Sequence, residues 1–326
     1  MEKGLLLDVG RKFWAIEQLY RVIDLLSELK MTHLQLHFSE SFGFRLECTS
    51  YPKITSKEHY TKAEIIQLLA YAKEKNVQII PDLDSPGHLK QILKNYPDFS
   101  LIDKNEKKNL EALDVSNPFA QAFLFEIYEE FAQLFSSCTY FHIGADEFID
   151  FSKIDNYPNL IFKTKEVFGE DASGIEFYVR YVNSLADLLK KHGLKTRVWN
   201  DGFFRKNLNS KVALDKEIQV SYWTNWEQNM ASVYKWLEEG YELLNYCDND
   251  LYYVLGEMAG YSYPTKEKLS DFKKEKFSGN QYLTTEEMKQ VKGIYFSVWA
   301  DKPDAKKIEE ILEELKDLLP VFVEKL

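Results

Sequence analysis

Two adjacent carboxylates, Asp146 and Glu147, follow a short run of β-branched and aromatic residues at 139–143. Such a run predicts a buried strand, which ends at the small residues Gly144 and Ala145. The flanking side chains are apolar, so we expect at least one of the two carboxyls to have a raised pKa and the pair to titrate as a unit. A neutral acid beside an anion is an arrangement that breaks glycosidic bonds. The alternative is a polar strand end that only caps the next element.

The strands and helices that must position this pair alternate along the whole chain. Apolar or alternating runs predict eight strands, and between most of them apolar residues recur at helical spacing. The predicted strands cover residues 4–9, 32–38, 77–83, 139–143, 194–199, 218–223, 241–246 and 293–299.

This alternation predicts an α/β fold, a (β/α)8 TIM barrel, with an open doubly wound sheet as the runner-up. No GxGxxG fingerprint follows an early strand, which argues against the runner-up. Residues 202–216 show weak helical periodicity, so we expect the helix after strand five to be irregular or missing. We find no linker and predict one catalytic barrel domain over residues 1–326.

Local signals support several helix boundaries. Thr61 and Glu64 have the spacing of a capping box, which predicts a helix start there. Pro118 suits the first turn of a helix, and Gly193 suits the end of another. Residues 230–239 also have a helical pattern, whereas 247–292 is read as a long irregular stretch rich in tyrosine.

Polar and aromatic side chains follow most of the predicted strands. In a TIM barrel the active site lies at the C-terminal ends of the strands, so these residues should meet at one mouth. An arginine there is suited to hold sugar hydroxyls by paired hydrogen bonds. His37 and His142 lie within strands, and we interpret them as packed side chains. The residues at the strand ends are Arg11, Glu40, Asp84, His88, Asp146, Glu147, Trp199, Asp201, Trp223, Tyr246, Asp248, Trp299 and Asp301.

Composition excludes some classes of partner. The chain has 52 acidic and 41 basic residues, a net charge of −11, which argues against nucleic acid or an anionic membrane. Its three cysteines lack CxxC spacing, which favours a reducing compartment. The N-terminus has no signal-peptide pattern, and no segment approaches the ~18 apolar residues that cross a bilayer. We expect a soluble, cytoplasmic protein, or a secreted one if a signal was removed from the sequence.

A metal site is the main chemical alternative. Asp82, Asp84, His88 and His142 could join the Asp-Glu pair in a site with nitrogen and oxygen ligands. No HExxH, EF-hand loop or cysteine pair supports such a site. The sequence also lacks a P-loop and a GxSxG elbow, which argues against phosphoryl transfer and serine hydrolysis. We therefore expect no metal and no other cofactor.

Taken together, these residues resemble glycoside hydrolase family 20, the β-N-acetylhexosaminidases, over nearly the whole chain. The compact form is most similar to the dispersin B branch of that family. The matching segments cover residues 4–11, 37–40, 84–88, 142–147, 199–202, 246–248 and 299–301.

The resemblance implies release of terminal β-linked GlcNAc, or GalNAc, from glycans with retention of configuration. In this family the acetamido oxygen of the substrate attacks its own anomeric carbon and forms an oxazolinium intermediate. Glu147 would then act as general acid and base, and Asp146 would orient the acetamido group. Tyr246 would donate a hydrogen bond to the acetamido oxygen. The walls around that group would be Trp199, Trp223 and Trp299.

The resemblance also assigns the remaining contacts. Arg11 would hold the 3- and 4-hydroxyls, and Asp248 and Asp301 the 4- and 6-hydroxyls. Glu40 and His88 would support Glu147 from behind.

Three positions depart from the usual family pattern: Ala145 replaces a glycine, Glu40 an aspartate, and Asp301 a glutamate. Asp248 matches the broader family better than the dispersin branch, which favours an exo-acting enzyme. Two other readings stay open: a dispersin-like hydrolase of poly-β-1,6-N-acetylglucosamine, and a barrel that binds amino sugars without turnover. The sequence gives no indication of the oligomeric state.

Overall fold

The computed structural model describes residues 1–326, and its centre is a closed barrel of eight strands. Each strand pairs in parallel with the next, and the eighth pairs with the first. The (β/α)8 prediction is therefore confirmed. The strands are β1 (Glu2–Asp8), β2 (His33–His37), β3 (Gln78–Ser85), β4 (Tyr140–Gly144), β5 (Lys195–Trp199), β6 (Gln219–Tyr222), β7 (Leu243–Asn245) and β8 (Val291–Trp299).

Helices surround the barrel, and the main apolar core lies between them and the outer faces of the strands. No helix spans 202–216 after β5, as the weak periodicity of that segment predicted. None of the helices is both long and apolar enough to cross a bilayer. The helices are Ile16–Glu28, Lys62–Glu74, Lys90–Leu93, Pro118–Leu134, Pro158–Phe168, Glu176–Lys191, Val233–Glu238, Asp248–Leu251, Lys266–Asp271 and Ile308–Glu324.

The local helix signals are confirmed by hydrogen bonds. The Glu64 backbone N–H donates to Thr61 Oγ1 at 3.2 Å, and the Thr61 N–H donates to the Glu64 carboxylate at 2.7 Å. This reciprocal pair satisfies two N–H groups that the first turn leaves unpaired. Pro118 occupies the first turn of its helix, and Gly193 follows another helix with φ of 77°.

The seventh position of the barrel departs from the prediction. β7 pairs only with the N-terminal half of β8, up to Asn245 opposite Ile294. The chain then leaves the barrel wall, and a short strand at Tyr252–Val254 pairs with the C-terminal half of β8. Part of the stretch read as irregular is therefore the upper part of the barrel wall. The residue brought to the rim here is Tyr252, and Tyr246 lies lower.

The N-terminal end of the barrel is closed by a buried ion pair. The Arg197 guanidinium donates to Gln219 Oε1 at 2.9 Å, to the Tyr295 hydroxyl at 2.8 Å and to the Glu2 carboxylate at 2.7 Å. Its carbon also lies 3.6 Å from the ring centroid of Tyr140. A fully buried arginine is tolerated here because its donors have acceptors.

Candidate active site

A cavity of about 120 Å³ opens at the C-terminal ends of the strands. Concave sites lined by aromatic rings and a few polar groups are the usual binding sites for small molecules. Of the eleven residues to which the resemblance assigns a role, nine line it: Arg11, Glu40, His88, Asp146, Glu147, Trp199, Trp223, Trp299 and Asp301. The remaining lining residues are His37, Asp84, Trp226, Tyr252, Val254, Ala259 and Tyr261.

A strained turn after β4 brings the two carboxylates to the cavity. Gly144, Ala145 and Glu147 have φ of 70°, 68° and 43°. This left-handed conformation costs on the order of 1 kcal/mol or more at a residue with a side chain. A Cβ at Gly144 would lie 1.7 Å from the Asp84 carboxylate, so glycine is required there. The methyl of Ala145, by contrast, is accommodated in the core.

Hydrogen bonds hold this turn in place. The Ala145 N–H donates to Ser85 O at 3.0 Å, and its carbonyl accepts from the Tyr178 hydroxyl at 2.5 Å. The Glu147 N–H donates to Asp201 Oδ2 at 3.0 Å. The surrounding fold thus offsets the local strain at the residue that carries the outer carboxylate.

A charged network supports the pair from one side. Glu40 contacts Arg11 Nη2 at 2.9 Å and accepts a hydrogen bond from His88 Nδ1 at 3.0 Å. His88 Nε2 in turn lies 3.4 Å from Glu147 Oε2 and 3.7 Å from Asp146 Oδ2. The glutamate side chain of Glu40 therefore reaches both its neighbours despite its extra methylene.

Contacts among Arg11, Glu40 and His88 also determine the charge states of Glu40 and His88. Burial alone would raise the pKa of Glu40, but the charges of His88 and Arg11 hold it well below its usual range. Burial alone would lower the pKa of His88, but the carboxylates of Glu40 and Asp84 raise it well above 6.5. His88 is therefore a cation at neutral pH and orients both carboxylates of the pair.

The two adjacent carboxyls differ in environment. Burial raises the pKa of Asp146, so the expectation of one raised pKa is confirmed. Contact with His88 lowers the pKa of Glu147, whose side chain is 47% exposed. Asp84 is buried beside them, and its pKa is raised by burial and by the charge of Asp146.

Aromatic rings form the other side of the cavity. The rings of Trp199 and Trp299 lie 5.9 Å apart, and that of Tyr252 lies 5.9 Å from Trp299. Trp223 is parallel to Tyr252 at a centroid distance of 6.1 Å. The indole N–H groups of Trp199 and Trp299 have no hydrogen-bond partner within the protein. The result is an apolar enclosure with a few unpaired polar atoms, which suits a small amphipathic group.

Tyr246 and Asp248, the other two of the eleven residues to which the resemblance assigns a role, do not line the cavity. The Tyr246 hydroxyl donates to Gln35 Oε1 at 2.5 Å inside the barrel, and its ring packs beneath Trp199. The cause is the early end of β7, which places Tyr252 at the rim. Asp248 is buried behind the wall, where it accepts hydrogen bonds from other side chains.

Several lining residues were not selected from the sequence. The aromatic run at 252–254 could have indicated the short strand that carries Tyr252. His37 was interpreted as packed, and its Nδ1 does contact Asp82 Oδ2 at 2.9 Å, yet its ring also lines the cavity. Trp226 and Tyr261 lie on loops, where no sequence pattern separates them from surface aromatics.

Two overlapping groups could in principle bind a metal ion: His37 with Glu40 and Asp84, and Asp84 with His88 and Asp146. The Glu40 carboxylate is already paired with Arg11 Nη2 at 2.9 Å and with His88 Nδ1 at 3.0 Å. The cationic His88 would also repel a metal ion. The chemistry of these groups therefore favours proton transfer over metal binding.

Residues 3–312 match glycosyl hydrolase family 20, catalytic domain. A lacto-N-biosidase of Bifidobacterium bifidum is 30% identical over 194 residues, 59% of this chain and 17% of that protein. The β-hexosaminidase subunit A2 of Dictyostelium discoideum is 30% identical over 231 residues, 68% of this chain and 40% of that protein. The chain thus spans less than half the length of these curated relatives.

The solved structure of dispersin B has the same fold. It superposes with a TM-score of 0.77 at 23% identity, covering 100% of this chain and 99% of that one. The match of the sequence to the family extends over nearly all of the barrel. The chain belongs to glycosyl hydrolase family 20.

Proposed function

We propose that the protein is an exo-acting β-N-acetylhexosaminidase that releases terminal β-linked GlcNAc, or GalNAc, with retention of configuration. The observation that carries the proposal is the position of Asp146 and Glu147 in one cavity. A cation lies on one side of this pair and an aromatic enclosure on the other. Family membership supports the same chemistry.

In the proposed reaction the enclosure of Trp199, Trp223 and Trp299 holds the methyl end of the acetamido group. Asp146 accepts a hydrogen bond from the acetamido N–H and stabilises the positive charge that develops on it. Tyr252 lies where Tyr246 was expected and donates to the acetamido oxygen. Burial raises the pKa of the Tyr252 hydroxyl well above 10, so it remains a donor.

The acetamido oxygen then forms a bond to the anomeric carbon as the glycosidic bond breaks. Glu147 gives its proton to the departing oxygen, which leaves an oxazolinium ion and a Glu147 carboxylate. This carboxylate next removes a proton from water, whose oxygen opens the ring at the anomeric carbon. The second inversion restores the original configuration.

Glu147 must be protonated for the first step, although His88 lowers its pKa in the free protein. A bound sugar covers the exposed carboxyl and removes water from it, which raises the pKa of an acid. Asp146 gains the acetamido N–H as a partner, which favours its anionic form. Substrate binding therefore moves the two pKa values in the directions that catalysis needs.

Arg11 and Asp301 support action on a terminal sugar. Both line the cavity, where a guanidinium and a carboxylate can hold the hydroxyls at the non-reducing end. The whole-length similarity to dispersin B supports the alternative, a hydrolase of poly-β-1,6-N-acetylglucosamine.

The test is hydrolysis of an aryl β-N-acetylglucosaminide followed by proton NMR. We expect the β-anomer as the first product and inhibition by a thiazoline that resembles the oxazolinium ion. First appearance of the α-anomer would exclude the mechanism, and loss of activity with a chelator would favour a metal enzyme. Calorimetric binding without product would indicate a barrel that only captures amino sugars. Release of internal fragments from the β-1,6 polymer would favour the dispersin-like alternative.

A further inference from the structure

His37 lies at the floor of the cavity, between two carboxylates. Its Nδ1 donates to Asp82 Oδ2 at 2.9 Å, and its Nε2 lies 3.5 Å from Glu40 Oε2. Ionised carboxylates only accept hydrogen bonds, so both ring nitrogens carry a proton and the ring is a cation. Burial alone would lower the pKa of His37, but the Asp82 carboxylate raises it well above 6.5. All three side chains are almost fully buried.

Asp82 lies deeper in the barrel and does not line the cavity. Gln35 Nε2 donates to its Oδ2 at 2.8 Å, but an amide brings no charge. On the other side, His142 Nδ1 lies 3.5 Å from Asp82 Oδ1. That nitrogen accepts the Gly144 N–H at 3.1 Å, so it holds no proton that it could give to Asp82. His37 is therefore the cation that compensates the buried Asp82 carboxylate.

The charge of His37 also acts on the catalytic pair. The lining of the cavity has more carboxyl groups than cations, so the pair needs further positive charge nearby. Burial raises the pKa of Asp146, and the charges of His88 and His37 oppose this rise. Asp84 lies between them, because a His37 nitrogen is within 4.8 Å of an Asp84 oxygen and an Asp84 oxygen is within 4.8 Å of one of Asp146.

The other charges around His37 do not replace Asp82. Arg11 is balanced by Asp8 at 2.8 Å and by Glu40 at 2.9 Å. On the side of β8 the ring meets only an uncharged indole, that of Trp299, with centroids 5.3 Å apart. Asp82 makes the closest contact with the ring, so its loss should change the protonation of His37 most. The charged side chains around His37 are Asp8, Arg11, Glu40, Asp82, Asp84 and His88.

We propose that Asp82 is a positioning residue of the reaction, which holds His37 as a cation beneath the cavity and thereby keeps Asp146 anionic. Asp82 itself is too deep to touch a substrate and acts through His37. The inference rests on the proposed function, in which Asp146 accepts the acetamido N–H, and adds a residue inside the barrel on which that step depends.

The first test is the pH profile of kcat/KM for Asp82→Asn, measured from about pH 4 to 9 on an aryl β-N-acetylglucosaminide. Without the Asp82 charge, His37 loses its proton. His37 lines the cavity and Asp82 does not, so at Asp146 the lost cation outweighs the lost anion, and the pKa of Asp146 rises.

The acid limb of the profile should therefore move up by about one pH unit, a loss of about tenfold below the limb and a small loss above it. A change that only disturbs packing would lower kcat/KM at every pH and leave the limb in place. If Asp82→Asn does not fold, His37→Gln should move the limb in the same direction, and an unmoved limb there would overturn the proposal.

Nitrogen NMR of the imidazole rings tests the ion pair without turnover. At about pH 7, His37 should have two protonated nitrogens in the wild type and one in Asp82→Asn. His37→Gln identifies the signals by their loss. A singly protonated His37 in the wild type would overturn the proposal. An acid limb that stays in place in Asp82→Asn, although His37 has lost its proton, would overturn it as well.

Gln35→Met is the matched control, because it removes an uncharged hydrogen bond to the same carboxylate. It should change neither the acid limb nor the protons of His37, and a shift equal to that of Asp82→Asn would contradict the proposal. A wild type that cleaves no β-N-acetylglucosaminide while His37 is doubly protonated would refute the proposed function. A singly protonated His37 in an active enzyme would refute only the role of Asp82, so the two failures are distinguishable.

Discussion

The two ends of the barrel both bury charged side chains, but they satisfy them differently. At the N-terminal end, Arg197 donates to acceptors on three residues, including the carboxylate of Glu2. At the C-terminal end, several buried polar atoms have no hydrogen-bond partner within the protein. They include His88 Nε2, Asp84 Oδ1, Asp146 Oδ1, Trp199 Nε1 and Trp299 Nε1.

An unsatisfied buried polar group costs roughly 1–3 kcal/mol, so proteins rarely keep several together without a use for them. The N-terminal cluster, in which Arg197 has hydrogen-bond partners on three residues, fits a role in stability. The C-terminal cluster, which keeps polar atoms without hydrogen-bond partners, fits a site where a ligand supplies the missing hydrogen bonds. Substitutions at one end should therefore change stability, and substitutions at the other should change turnover.

The largest expected effect is on turnover, at Glu147. Glu147→Gln removes the transferable proton and should lower kcat by ~10²–10⁴-fold on a substrate with a poor leaving group. Because this side chain is half exposed, the melting temperature should stay near that of the wild type. Steady-state kinetics with thermal unfolding on the same sample checks both. Near-normal turnover would refute the assignment of the acid.

Arg197→Met at the opposite end should show the reverse pattern. It leaves the Glu2 carboxylate, which is only 11% exposed, without its arginine partner, and the loss of one partner of a buried pair typically costs about 3–5 kcal/mol of unfolding free energy. The folded fraction should keep its kcat, because Arg197 is not at the cavity. The double variant Arg197→Met/Glu2→Gln should recover part of the stability in a denaturant titration. A loss of kcat with unchanged stability would contradict the assignment of stability to the N-terminal end and turnover to the C-terminal end.

Much of the fold was predictable because barrel strands are buried on both faces and appear as short apolar runs. The exception is the seventh position. The pairing of Tyr252–Val254 with β8 joins segments about 45 residues apart, which a local pattern does not reveal. The helix Pro158–Phe168 was also missed.

The site was predictable where a residue ends a strand, as Trp199 and Trp299 do, or comes a few residues after one, as Arg11 does. It was not predictable where loops return to the cavity, as at Trp226 and Tyr261. The position of Tyr246 below the cavity has the same origin as the departure at the seventh strand. Tyr246 comes six residues before Tyr252 and lies lower in the barrel wall, so its side chain points into the barrel interior and not into the cavity.

Substitutions at Tyr252 and Tyr246 test which tyrosine contacts the substrate, with a smaller expected effect. Tyr252→Phe removes a hydroxyl at the cavity and should lower kcat/KM by ~10–100-fold, as loss of a donor to a charged transition state does. Tyr246→Phe should leave kcat/KM within a few fold, because its hydroxyl contacts Gln35 in the barrel. If kcat/KM fell more in Tyr246→Phe than in Tyr252→Phe, Tyr246 would be the residue that donates to the acetamido oxygen.

The most gradual effect is the pH dependence of stability, which separates the two ends of the barrel by its sign. Burial and the charge of Asp146 raise the pKa of Asp201 to about 7. The folded protein therefore takes up a proton that the unfolded chain has already lost between pH ~4 and 7. The unfolding free energy should fall as pH rises through this window, by at most ~1.4 kcal/mol per pH unit for this group.

At the N-terminal end the sign is opposite. Burial lowers the pKa of His33 to about 4, so between pH ~4 and 6.5 the unfolded chain holds a proton that the folded protein lacks. Stability from His33 therefore rises with pH over nearly the same window. Denaturant titrations across this range should show a more positive slope in Asp201→Asn and a more negative slope in His33→Gln. Each substitution removes one titrating group, and the two groups change the stability in opposite directions as pH rises. Parallel plots of unfolding free energy against pH for the wild type and both variants would therefore show that neither group contributes to the pH dependence.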